Sequence, residues 1–241
     1  MKVPAIEGVI RRRILVNFRV DPEVMRAQIP ARFAPKLHGG KAIAGICLIR
    51  LEEIRPRSLP SFVGFASENA AHRVAVRWTE DGGREREGVF IPRRDTSSAM
   101  NRLTGGKLFP GEYHLAAFEV DCSDEHVRLE MESSDGQVAV RVRARPAPSL
   151  PPTSSFASVD EASAFFEPGS LGYSATSDPR RLDGMELKTK TWKVEPLAVD
   201  EVYSSYFSDA IRFPKGTVDF DCALLMRNIA HEWHGAEDLY V

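Results

Sequence analysis

KAIAGICLIRL, running from Lys41 to Leu51, is apolar at odd and at even positions alike. Side chains alternate between the two faces of a strand, so a strand with one wet face would show a polar residue at every second place. This one reads as a central strand covered on both sides. That pattern favours a barrel over a two-layer sandwich. The many short strands, three short helices and Gly/Pro turns around it give a mainly β (α+β) class, a single-domain antiparallel β-barrel with a few short peripheral helices.

Upstream, VIRRRILVNFRV (9–20) is β-branched and apolar enough for an opening strand. Asp21 is placed as an N-cap, Pro22 takes the first helical position, and Val20 and Met25 have the spacing of a hydrophobic staple, so a helix covers 22–29. Downstream, a Pro-containing run (55–60) breaks the pattern. Residues 71–91 then form a hairpin, with His72, Val74, Val76 and Trp78 on one face and Arg73, Arg77 and Thr79 on the other. Thr96 or Asp95 caps a brief helix over 97–103 that Gly105 terminates. The next strand runs over 112–121. In HVRLEMESSDGQVAVRVRAR, an Asp135-Gly136 turn sets Leu129 against Val142, Met131 against Val140 and Glu130 against Arg141, one apolar face and one charged. PAPSLPPTSS (146–155) is a long loop rather than a boundary, so residues 1–241 make one domain. Ser158 and Glu161 have capping-box spacing, and strands follow at 185–194 and 218–229.

The 241 residues are 43% hydrophobic and carry a formal net charge of -2, which suits a large core and gives no basic footprint for nucleic acid. Arg11-Arg12-Arg13 alone reads as a solvated strand face. Cys47, Cys122 and Cys222 are isolated in apolar surroundings, as reduced core thiols of a cytoplasmic protein would be. No secretory leader and no membrane span is read in the chain. His231 and His234 stand three apart, not at the helical four of a zincin, so no metal and no cofactor is expected.

The ordered segments VNFRVDPEVMRAQIP, GGKAIAGICLIRLEEIRP, FASENAAHRVAVRW, GVFIPRRDTSSAMNRL and LFPGEYHLA resemble a conserved family of unknown function within the acetoacetate decarboxylase-like superfamily. The resemblance covers most of the chain, with looser motifs in the tail. It implies a β-barrel with an internal cavity. In acetoacetate decarboxylase itself a lysine after a Phe-Pro type corner forms a Schiff base with the keto acid, its pKa lowered by an apolar site and a neighbouring lysine. Here the corner reads Phe109-Pro110-Gly111-Glu112 and the lysine pair is absent, so the decarboxylase activity is not carried over.

The candidate site residues follow from the corner outward. Glu112, Tyr113 and His114 place a carboxylic acid, a phenol and an imidazole side by side at the mouth of a strand. Glu112 and His114 are the candidate acid–base pair, and Tyr113 faces the opposite way. Glu68 and Arg73 resemble the family's acidic-then-arginine segment and could form an ion pair or an arginine clamp for a carboxylate. Arg93 and Arg94 precede a helix and could hold an acidic substrate; Arg93 is the ligand-binding candidate. Lys107 is the one lysine near the corner, on the wrong side of the proline for the decarboxylase pattern. The leading expectation is a barrel that binds a small organic acid or carbonyl compound. The alternatives are a lyase or isomerase using Glu112 or His114, and a protein–protein scaffold. A homo-oligomer is compatible with all three.

Overall fold

The structure, a computed structural model, describes residues 5–80, 82–104 and 109–241. In chain order its elements are β1 (Ile6–Val20), α1 (Pro22–Ala27), β2 (Ala34–Pro35), β3 (Leu37–His38), β4 (Lys41–Pro56), a 3-10 turn (Ser61–Val63), β5 (Phe65–Thr79), β6 (Glu85–Thr96), α2 (Ala99–Thr104) and β7 (Tyr113–Cys122). There follow β8 (Val127–Ser133), β9 (Ala139–Pro146), α3 (Val159–Phe166), β10 (Leu171–Ala175), β11 (Arg181–Thr189), β12 (Glu195–Ser204), β13 (Val218–Gly235) and β14 (Leu239–Tyr240).

Nine strands close a ring in the order β5-β6-β7-β8-β9-β12-β13-β1-β4 and back to β5. The pairings are antiparallel except β6 with β7, and outside the ring β6 with β10, which are parallel. Because β11 also pairs with β13, a second ring forms through β13-β1-β4-β5-β6-β10-β11. Two barrels thus share one curved wall. The alternation of KAIAGICLIRL follows directly: Ala42, Ala44, Ile46 and Leu48 point into the core of the nine-stranded barrel, and Ile43, Cys47, Ile49 and Leu51 point into the second core. No helix among the described residues is long and apolar enough to cross a membrane.

Local signals hold where they are chemical. The Asp21 carboxylate accepts from Glu23 N and Val24 N and so caps α1, with Pro22 at its start. Ser158 accepts from Glu161 N, while the Glu161 carboxylate receives the Ala157 N–H, a reciprocal cap on α3. The β8–β9 register is Leu129 with Val142, Glu130 with Arg141 and Met131 with Val140, as the pattern requires. Its loop is wider than two residues: Ser133 N donates to Val138 O, and the Ser133 hydroxyl, not its carbonyl, receives Val138 N.

Other expectations are corrected. The cap of α2 is Ser98, whose hydroxyl accepts from Asn101 N at 3.2 Å, because Asp95 is taken by Arg93 and Thr96 donates to Asn69. Gly105, expected to end that helix, lies outside the described residues. The strand expected at 185–194 runs from Arg181 to Thr189, and β10 and β12 were not anticipated. The triple arginine is no solvated face. Arg11 is exposed, but Arg12 is buried on Glu68 and Arg13 turns into the second barrel.

Candidate functional site

The mouth of the second barrel holds a cavity of about 130 Å³, some ten times the ~10–15 Å³ that a single water requires. Its floor is the shared wall. Cross-strand pairing sets the rows of that floor: Arg13 beside Ile49 beside Asn69, then Leu15 beside Cys47 beside Ala71 beside Arg94, then Asn17 beside Gly45 beside Arg73. Gly45 has to be glycine there, since a Cβ would stand 2.1 Å from the Val16 carbonyl oxygen. Above the floor, Phe109, Tyr113, Phe165, Phe166, Trp192 and Trp233 supply an aromatic rim.

Three guanidiniums face this apolar space. Arg73 is 4% exposed and donates to Asn17 Oδ1, its plane lies 5.0 Å from the Phe166 ring, and its Nε has no partner. Burial pushes its pKa down to about 10, which still leaves it charged at neutral pH. Arg94 donates from Nε to Ser174 Oγ at 3.0 Å and lies over Tyr113 at 5.6 Å. Arg13 donates from Nε to Cys47 Sγ at 3.3 Å and lies over Trp192 at 5.8 Å. Among the described residues none of the three is within ion-pair distance of a carboxylate. Lys36, also in the wall, is different: it pairs with Glu87 and donates to Phe165 O at 3.1 Å.

Of the candidate site residues singled out from sequence, Arg73, Arg94 and Tyr113 line the cavity. Glu68 and Arg73 do not pair, because an odd separation along β5 sends them to opposite faces. Glu68 instead receives Arg12 Nη2, with Arg50 at 3.9 Å, and its burial raises its pKa against both cations. Arg93 stands outside the cavity, clamped between Asp95 at 2.8 Å and Asp135 at 2.9 Å. His114 Nδ1 meets the same Asp135 at 3.2 Å. Burial works to raise the Asp135 carboxyl, but hydrogen bonds from Ser133, the Gln137 N–H and Arg93 hold it well below the usual range. Burial raises Asp95. Glu112 is exposed, just before β7, and its N–H donates to Ala175 O. Glu112 and His114 therefore lie together on neither the cavity wall nor any common partner. Lys107 lies outside the described residues.

The exchange of Arg93 for Arg94 has a structural cause. The β5–β6 register slips by one between the His72–Arg93 and Val74–Phe90 pairs. Pro92 sits in that slip, where a missing N–H costs no ladder bond. Val89 and Ile91 face the cavity, and after the bulge Arg94 does so in place of Arg93. Arg13 had a legible signal, the parity it shares with Leu15; Lys36 and Asn101 had none, since a loop and a short helix bring them in.

The Phe-Pro-Gly corner positions Tyr113. Gly111 has φ +78, and its N–H donates to the buried Asp183 carboxylate at 2.8 Å. Phe109 packs edge-on against Tyr113 and Trp233 with centroids 6.4 and 6.2 Å apart. In the tail, His234 bonds Glu232 at 2.9 Å, whereas His231 is buried beside Trp233 on the alternate face of β13.

Comparison with solved structures gives the same architecture. The chain superposes on an acetoacetate decarboxylase from Legionella pneumophila with a TM-score of 0.60 at 11% identity, covering 98% of this chain and 88% of that one. An acetoacetate decarboxylase-like enzyme from Sphingomonas wittichii RW1 gives 0.58 at 9% identity, covering 100% and 94%. The enduracididine biosynthesis enzyme MppR complexed with pyruvate gives 0.60 at 10% identity, covering 98% and 89%. At such identities the likeness is one of fold. No curated protein sequence matches the chain. The model of the DUF2071 family of uncharacterized conserved proteins matches residues 9–219, and the chain belongs to that family.

Proposed function

We propose that the second barrel binds a small organic acid, with the acid's carboxylate on Arg73 and Arg94 and its carbon skeleton against the aromatic rim. The observation that carries this reading is Arg73, a buried cation with, among the described residues, no carboxylate partner and no acceptor on its Nε. An uncompensated buried charge costs several kcal/mol, and a ligand carboxylate accepting two parallel N–H bonds is the natural compensation. Arg94 and Arg13 add positive potential from two sides, and Tyr113 offers a hydroxyl at the rim. The fold supports the reading as well, since a neighbour of the same architecture takes up pyruvate.

The geometry favours this set over acid–base work by Glu112 and His114, which stand outside the cavity wall, and an open cavity faced by three guanidiniums weighs against a pure interaction scaffold. Titration calorimetry with pyruvate and with its neutral methyl ester tests the reading. Pyruvate should bind and the ester should bind at least about tenfold more weakly, with Arg73→Met abolishing the difference, as expected for a hydrogen bond to a charged group worth roughly 1.5–3 kcal/mol. Equal affinity for acid and ester would sink the carboxylate site.

A further inference from the structure

Cys47 stands in the middle of the cavity floor. On β4 it pairs with Leu15 on one side and Ala71 on the other, and its sulfur faces the cavity, where it accepts the Arg13 Nε–H at 3.3 Å. Arg73 is one pleat from Ala71 on β5, a diagonal neighbour of Cys47 at a cross-strand distance of roughly 7–8 Å. The other two thiols are placed differently. Cys222 is wholly buried, outside the cavity wall, and burial pushes its pKa up to about 12. Cys122 is half-exposed on β7, beside Arg12.

A thiol in a core does not by itself make a site. Here a second observation points to a ligand: the unpartnered Nε of Arg73, on a side chain only 4% exposed in the same cavity wall. An acid anchored there brings the carbon next to its carboxylate over the floor that Cys47 occupies.

We propose that Cys47 is a carboxylate-directed nucleophile that adds reversibly to the carbonyl carbon of a 2-oxo acid held by Arg73. This rests on the acid-binding reading above. The sulfur lone pair forms the C–S bond, the carbonyl π pair moves to oxygen, and that oxygen takes the thiol proton to give a hemithioketal. No oxidant or co-reactant enters. The Arg13 guanidinium, hydrogen-bonded to the sulfur, orients it and offsets negative charge as the proton leaves.

Alkylation of the native protein tests this, with iodoacetate and iodoacetamide compared by intact mass and peptide mapping. In the iodoacetate reaction the C–S bond forms, iodide leaves and the thiol proton passes to solvent. Exposure alone would label Cys122 first with either reagent. The proposal expects iodoacetate to label Cys47 first, about tenfold faster than iodoacetamide does, with excess pyruvate slowing that labelling. Arg73→Met should remove the preference for the acid reagent, and pyruvate protection of the unaltered protein gives the same information without a variant. Labelling of Cys122 ahead of Cys47 by iodoacetate, or faster labelling of Cys47 by iodoacetamide, overturns the proposal. Should pyruvate bind calorimetrically while iodoacetate spares Cys47, the acid site stands and the nucleophile falls; should pyruvate not bind either, both fall.

Discussion

Arg93 and Arg94 are adjacent and do opposite work. Arg93 neutralises Asp95, which is wholly buried, and Asp135, so Arg93→Met leaves a buried carboxylate uncompensated. A loss of about 3–5 kcal/mol in urea-unfolding free energy is expected, the usual result of breaking a buried pair from one side. Arg94→Met removes a cation with no carboxylate partner among the described residues, and so should leave stability within roughly 1 kcal/mol while weakening pyruvate binding. The reverse pattern in the two variants would contradict the assignment of the cavity wall. From sequence the two arginines are indistinguishable, because a one-residue bulge decides which faces inward and no local pattern marks it beyond Pro92. For Arg73 and Tyr113, alternation fixes which neighbours share their face but not which face meets the cavity. Cys47 was legible only as a core residue; the cavity beside it is made by strands distant in the chain.

At the scale of elements, legibility follows regularity. The β8–β9 hairpin could be read to its register because each residue's polarity agrees with its face, with Leu129, Met131, Val140 and Val142 inward. The segments LGYSA and EPLAVDEVYS became β10 and β12 with little such pattern, since glycine, serine and proline interrupt them and partners elsewhere supply the pairing. β10 matters despite its length. It closes the second barrel against β6 and carries Ser174, which holds Arg94 and crowds the Phe-Pro-Gly corner. A Cβ on Gly111 would stand 2.5 Å from Ser174 Cβ, at a backbone φ of +78 that L side chains disfavour. Gly111→Ala should therefore cost about 1–3 kcal/mol and, by displacing Tyr113 and Ser174 together, weaken pyruvate binding as well. A variant with unaltered unfolding midpoint and affinity would show that the corner does not position the site.

On the scale of the molecule, the two barrels divide the labour. The nine-stranded ring encloses the larger hydrophobic core, which includes His72, fully buried against Tyr206 at 4.6 Å with neither ring nitrogen partnered among the described residues. Burial, with Arg93 and Arg212 nearby, pushes its pKa down to about 3. The unfolded chain, with a histidine pKa near 6.5, takes up the proton first, so this contribution to stability is complete above about pH 6.5 and is lost as pH falls towards 3. Between pH 7 and 5 the loss from this one group is about 2 kcal/mol, and His72→Phe should remove it, flattening the acid side of the stability profile measured by urea unfolding. An unchanged slope would place the acid sensitivity elsewhere, His231 being the next such group with its pKa pushed down by burial to about 4. The second ring holds the cavity, faced by the guanidiniums of Arg13, Arg73 and Arg94, which have no carboxylate partner among the described residues. A crystal structure of the protein soaked in pyruvate tests that division most directly. A carboxylate is expected within hydrogen-bond distance of the Arg73 guanidinium, above Cys47 and inside the aromatic rim. Pyruvate bound elsewhere, with no carboxylate on the Arg73 guanidinium, would contradict it.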